Sequence, residues 1–281
     1  MRCEAIATTR IFAVTFVIAH RLAYNDSIMM ATVASDRRAL KAKVRAVQRL
    51  LIKAYGEPPR PAWAGTVRVD PVRAPDRAEA TTQWEPIDPL DELINTILSQ
   101  NTNDLNRDRA YHALRAKFPT WEEVRDAPTG QVITAIKSAG LANQKGPRIQ
   151  QVLRRITAER GELDLNFLRD LPTDEAKAWL TSLDGVGPKT ASIVLLFALG
   201  KPAFPVDTHI HRVTGRLGLI PPKTSADKAH DILAELVPPE WYHSFHLNVI
   251  EHGRRVCKAQ RPLCAKCVLQ KYCDYFRNRP V

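Results

Sequence analysis

Lys189 stands in the run Leu183-Asp184-Gly185-Val186-Gly187-Pro188-Lys189-Thr190-Ala191-Ser192, two residues after the second of two glycines. The glycines read as a tight turn between two helices, and Pro188 suits the first position of the second helix, where a missing N–H does no harm. A glycine backbone can be approached closely. The turn's N–H groups and the positive end of the next helix can therefore cradle a phosphate without reading bases, which expects contacts from Gly185, Val186 and Gly187. A lysine in the first helical turn sits where the macrodipole disfavours positive charge, and this favours a nucleophilic amine. A lysine that only binds phosphate needs charge and reach, and the local residues leave both roles open.

Eighteen residues further on, Asp207 in Pro205-Val206-Asp207-Thr208-His209-Ile210-His211-Arg212 is placed to cap the next helix. The same carboxylate at the rim of a cleft would assist a neighbouring amine or stabilise positive charge developing on a sugar. His209 and His211 read as packing or phosphate contacts. Near the C-terminus, Cys257, Cys264, Cys267 and Cys273 form C-x6-C-x2-C-x5-C, with Cys3 far away. Four closely spaced thiols in a chain with no convincing export signal read as metal ligands rather than disulfides. Zinc suits four thiolates but is usually held by two tight pairs, and only one pair here is tight. A [4Fe–4S] cluster fits the spacing better, and Lys258 and Arg261 in the loop between the first two ligands are placed to meet phosphate.

These groups must be positioned, and the elements that can do so are helices. Apolar residues recur at helical spacing over 35–56 and again, after Pro89, over about 90–100, 104–117, 120–126, 129–138, 144–160, 164–170, 173–183, 188–199, 207–217, 225–236 and 240–253. A cap at Thr173 is expected to open the helix before the hairpin. No alternating strand pattern separates the helices, so the fold class is all-α. Seven prolines between 57 and 89 predict an irregular excursion, with a short strand near Val67. Residues 1–34 read as an extension, with Met29 or Met30 as candidate starts. Its apolar run, Ile11 to Ala19, is shorter than the roughly 20 residues a spanning helix needs.

Composition bounds the partner. The 281 residues carry 41 Lys+Arg against 30 Asp+Glu, a net charge of +11, which excludes collagen-like, wholly disordered and polytopic membrane classes and suggests a polyanion. Residues 251–281 hold eight basic and two acidic side chains, and 137–160 hold six basic side chains (Lys137, Lys145, Arg148, Arg154, Arg155, Arg160) against Glu159. Both stretches are candidate phosphate-facing surfaces, as well as candidate solvated faces.

Taken together, Leu183–Ser192, Val206-Asp207-Thr208-His209 and the cysteine pattern resemble the endonuclease III family of helix-hairpin-helix (HhH-GPD) DNA glycosylases, over about 90–276 plus the helix near 36–56. The resemblance implies a six-helix barrel at 90–201 and a [4Fe–4S] domain at 202–281 joined by the N-terminal helix, with duplex DNA containing damaged bases or abasic sites across the cleft. It also implies that the target nucleotide is flipped out, that Lys189 attacks C1′ and forms a Schiff base, and that Asp207 assists. Asn101 and Leu141 match the side chains that fill the vacated gap. The chain has Ser99-Gln100-Asn101-Thr102-Asn103-Asp104 where well-known bacterial members have Ser-Ala-Gln-Ala-Thr-Asp, so Gln100 shares or replaces the role of Asn101. The implied activity is a bifunctional glycosylase and AP lyase for oxidised pyrimidines in base excision repair, acting as a cytoplasmic, nucleoid-associated monomer. The alternatives are a mismatch-specific uracil, thymine or, less well matched, adenine glycosylase, and a non-catalytic helix-hairpin-helix DNA-binding protein.

Overall fold

The computed structural model describes residues 36–59 and 87–279. The extension at 1–34, the strand expected near Val67 and all but the ends of the 57–89 excursion lie outside the described residues. The chain divides into two compact units, Met1–Val47 and Gln48–Val281, and the boundary falls inside the first helix, α1 (36–55). In the first unit α1 buries Val44, Ala46 and Val47 and exposes its Lys and Arg face.

The second unit is helical throughout its described residues: α2 (Pro89–Ser99), α3 (Asp104–Lys117), α4 (Trp121–Asp126), α5 (Thr129–Ala135), α6 (Ala142–Arg160), α7 (Thr173–Thr181), α8 (Pro188–Ile193), α9 (Thr208–Arg216), α10 (Ala226–Leu236), α11 (Tyr242–Arg255) and α12 (Asp274–Arg277). Local chemistry sets several starts. The Asp88 carboxylate accepts from Leu90 N (2.9 Å) and Asp91 N (3.0 Å), Asn103 accepts from Asn106 N (2.9 Å), and Ser225 accepts from Lys228 N (3.3 Å).

One apolar core runs from Leu90 to Ala203 and includes Leu93, Ile97, Leu114, Ile149, Leu153, Leu180, Ala191 and Leu195, all fully buried. Past Ala203, a further set of buried side chains (Phe204, Ile210, Val213, Leu233, Phe245 and Val249) joins α9, α10 and α11. Phe204 sits at the turn between the two sets, edge-on to Tyr242 with ring centroids 5.2 Å apart. The segment 48–56 is tied to α11 by Gln48 Nε2 donating to Ser244 Oγ (2.7 Å) and Asn248 Nδ2 donating to the Gly56 carbonyl (3.2 Å).

Four expectations are corrected. The 164–170 segment contains only a 3₁₀ turn, Asn166–Arg169. The 129–138 helix breaks at Ile136 and resumes as the 3₁₀ turn Lys137–Ala139. Beyond Ile193 the α8 helix widens into the π-helical turn Val194–Ala198, all of it buried. Thr173 is the first residue of α7 rather than its cap; Pro172 holds the cap position, and no side chain accepts the first N–H groups. Apolar spacing alone cannot separate α, 3₁₀ and π turns, because the buried stripe differs little between them over one turn.

Candidate active site and nucleic-acid interface

Helix α7, the turn 182–187 and α8 form the helical hairpin. Gly187 holds the N-cap position in extended backbone (φ −85°, ψ 177°), Pro188 follows as the first helical residue, and half-buried Lys189 stands in the first turn. Val186 turns its side chain into the core and gives its N–H to the Leu183 carbonyl (3.1 Å). Its side chain anchors the turn in the core. Gly185 has φ +73°, and a Cβ there would lie 2.1 Å from Arg148 Nε, so the Arg148 side chain rests directly on the bare glycine. That Nε is buried without a hydrogen-bond partner. Arg155 braces the turn from α6, its guanidinium donating to the Ser182 carbonyl and to Ser182 Oγ (2.9 Å).

Gln100 and Asn101, paired as candidates in the sequence, part company. Gln100 Nε2 donates to the Gly185 carbonyl (3.2 Å) and lies 3.5 Å from Thr190 Oγ1, so its amide ties the end of α2 to the hairpin. Asn101 is exposed with φ +52°, and Leu141 is 47% exposed with φ +50°. Asparagine tolerates the left-handed region; a leucine there is an outlier that its surroundings must enforce.

Asp207 caps α9 as expected, its Oδ1 accepting from Ile210 N at 2.7 Å. His209 Nδ1 accepts from Arg212 Nη2 (3.0 Å), and His211 Nε2 hydrogen-bonds the Thr224 carbonyl (2.8 Å). The structure adds a residue that no local pattern marks. His246, buried on α11, donates from Nδ1 to the Pro205 carbonyl (3.1 Å), a bond that leaves its other nitrogen as an acceptor. Burial pushes its pKa down to about 4; the nearby Asp207 carboxylate opposes that shift and the Lys189 amine adds to it. The two expected catalytic groups stand 18 residues apart in sequence, on α8 and at the start of α9. The signal for His246 was tertiary, and only a histidine in an apolar helical stripe hinted at it.

The two basic stretches also separate. All eight basic residues of 254–279, among them Lys258, Arg261, Lys266 and Arg277, are exposed. In 137–160, Lys137, Arg154 and Arg160 are exposed, whereas Lys145 is 1% exposed and cannot face phosphate. Burial pushes the Lys145 pKa down to about 8.

The four expected ligands Cys257, Cys264, Cys267 and Cys273 line one shared pocket together with Arg216, Gln270 and Phe276. Each is a free cysteine. Among the described residues no three Cys, His, Asp or Glu side chains converge tightly enough to hold one metal ion between them. Four thiols around one pocket are the donor set of a metal or iron–sulfur centre. Burial and the neighbouring sulfurs push the Cys267 thiol up to about 11 and raise that of Cys273, so four thiolates would coexist only around a cationic centre. Supporting donors are in place: Arg216 Nη1 donates to Cys257 Sγ (3.3 Å), Leu269 N to Cys267 Sγ (3.4 Å), and His252 Nε2 lies 3.4 Å from Cys267 Sγ. Among the described residues no helix is long and apolar enough to cross a membrane.

Comparison with known proteins places this arrangement. Residues 94–239 match the HhH-GPD superfamily of base excision DNA repair proteins. Endonuclease III of Thermotoga maritima is 35% identical over 192 residues, covering 68% of this chain and 85% of that protein. Two solved structures, a non-covalent endonuclease III–DNA complex and a trapped endonuclease III–DNA covalent intermediate, superpose with TM-scores of 0.65 at 26% identity. They cover 84% of this chain and 96% and 97% of theirs.

Proposed function

Since this chain belongs to the endonuclease III family of HhH-GPD base excision DNA glycosylases, we propose that it both removes oxidised pyrimidines from duplex DNA and nicks the strand at the resulting site through Lys189. The observation that carries the reading is the placement of Lys189 in the first turn of α8, directly after the glycine turn, together with Asp207 at the N-cap of α9. Glycosylases that remove a base without nicking have no need of an amine at this place.

In this reading the target nucleotide leaves the stack, and the Lys189 amine attacks its C1′. The N-glycosidic bond breaks, and the base departs with a proton. The sugar ring opens to a Schiff base between Nζ and C1′. Loss of a C2′ proton then expels the 3′ phosphate by β-elimination, and water releases the lysine. Asp207 has one oxygen committed to the α9 cap, and its second oxygen serves the amine proton and the positive charge that builds on the sugar. His246 stays neutral and holds the Pro205 carbonyl, which fixes the backbone two residues before Asp207. Gly185 and Gly187 offer backbone to a phosphate, Asn101 and Leu141 fill the gap left by the flipped nucleotide, and exposed Lys258 and Arg261 grip the backbone beyond it.

Cys257, Cys264, Cys267 and Cys273 would hold a [4Fe–4S] cluster, which supplies a compact charged anchor for the basic loop. In this reading the barrel at 90–201 and the cluster segment at 202–281 are the two lobes that hold the DNA. Base release and nicking across duplexes carrying thymine glycol, dihydrouracil, uracil or thymine opposite guanine, and adenine opposite oxoguanine test the substrate. Fastest release from the oxidised pyrimidines is expected. Fastest release from a mismatch favours the mismatch reading, and binding without release from any duplex leaves only a DNA-binding protein.

A further inference from the structure

Lys145 occupies a place that a sequence rarely gives to lysine. It is 1% exposed, and its Nζ donates to two main-chain carbonyls, Leu98 O at 2.7 Å and Ala139 O at 2.9 Å. Leu98 lies in the last turn of α2, and Ala139 closes the 3₁₀ turn before α6. Carbonyls at helix ends have no partner within their own helix, and their partial negative charge favours a cation. One ammonium therefore caps two helix ends at once. The same residue's main-chain N–H donates to the Leu141 carbonyl (2.9 Å).

The two capped segments lead to Asn101, three residues after Leu98, and to Leu141, two residues after Ala139. Both are exposed and both are held in left-handed backbone. Such conformations are costly and persist only where the surroundings over-determine them. A buried, desolvated amine is itself expensive, and a methionine would fill the same space without that cost. What methionine lacks is the pair of donors that links the two segments.

We propose that Lys145 is a positioning residue, a clamp that sets the separation of the Asn101 and Leu141 loops so that both side chains enter the duplex together when the target nucleotide leaves it. The clamp rests on the glycosylase reading, and it adds to that reading a residue that touches neither DNA nor the reacting atoms. It predicts a defect confined to substrates whose target nucleotide must be pulled from a paired stack.

The test is a double-mutant cycle on single-turnover base release. Lys145→Met is expected to slow release from a base-paired lesion about 100-fold, the scale of a misplaced catalytic geometry, and to leave release of the same lesion from single-stranded DNA within about twofold. Leu141→Ala is expected to cost about tenfold in the wild-type background and almost nothing beside Lys145→Met, because the clamp acts through Leu141. Fluorescence of 2-aminopurine opposite the lesion, which rises on extrusion, should fall in step. Equal slowing on paired and single-stranded substrates overturns the clamp, and so does a full tenfold cost of Leu141→Ala in both backgrounds. If Lys145→Met does not fold, Lys145→Gln carries the same cycle with a shorter donor. A wild-type protein that releases no base from any substrate overturns the glycosylase reading itself, and the clamp falls with it; release with additive costs overturns the clamp alone.

Discussion

At the scale of single residues the site reuses groups that the fold already needs. Asp207 is the clearest case, since it caps α9 and is also the carboxylate assigned to the proposed chemistry. Asparagine caps a helix as well as aspartate does but carries no charge. Asp207→Asn is therefore expected to leave stability and DNA affinity close to wild type while slowing base release on the order of 100-fold. Asp207→Ala should add a loss of about 1 kcal/mol in denaturant unfolding. An asparagine variant whose only defect is weaker binding would remove Asp207 from the chemistry. His246 gives a pH signature. Its pKa is held at about 4 when folded, against 6.5 for an ordinary imidazole, so between those values the unfolded chain binds a proton that the folded chain refuses. Its contribution to stability is complete above about pH 6.5 and is lost as pH falls towards 4. Between pH 6.5 and 4 wild-type protein should lose more stability than His246→Asn, and parallel curves would contradict this assignment. The burial of Lys145 was not legible in the sequence, because charge counts assume exposure, and for His246 only its place in an apolar helical stripe gave a hint.

At the scale of elements, α6 acts as the spine of the interface. Lys145 reaches the ends of α2 and the 3₁₀ turn, Arg148 lies against Gly185, and Arg155 holds Ser182. Gly185 is where this contact is tightest. Gly185→Ala would place a methyl group on the Arg148 guanidinium stem and force an L residue to φ +73°. The expected loss is about 1–2 kcal/mol from backbone strain, plus a steric part that Arg148→Ala relieves. Urea unfolding of the two single variants and the double variant checks this, and a double variant no more stable than Gly185→Ala would show that the arginine stem does not fill that space. The helices themselves were readable from apolar spacing, the glycine stops and caps such as Asp207, and most boundaries fall within two residues of expectation. The failures, at 136–139, 166–169 and 194–198, are places where one turn changes its hydrogen-bond step without changing which side chains are buried.

At the scale of the whole molecule one share of the surplus positive charge lies where the cysteines are, and an equal share lies on α1. Every basic side chain of 254–279 is exposed, whereas the 137–160 stretch spends Lys145 inside the fold. The loop bearing Lys258 and Arg261 is held by Arg216, which donates to the Lys258 (2.7 Å) and Ala259 (2.9 Å) carbonyls. The isolated protein should contain about four irons per chain with broad visible absorption. Each of Lys258→Ala and Arg261→Ala should lower the slope of log affinity against log salt by about 0.9, and iron removal should lower it by both contacts together. An unchanged slope would take the loop off the DNA. The account as a whole stands on the Lys189 amine. Borohydride added during turnover of a thymine-glycol duplex should leave a protein–DNA adduct whose modified peptide contains Lys189, and Lys189→Gln should abolish it. An adduct that survives that substitution, or that maps to another residue, would contradict the account.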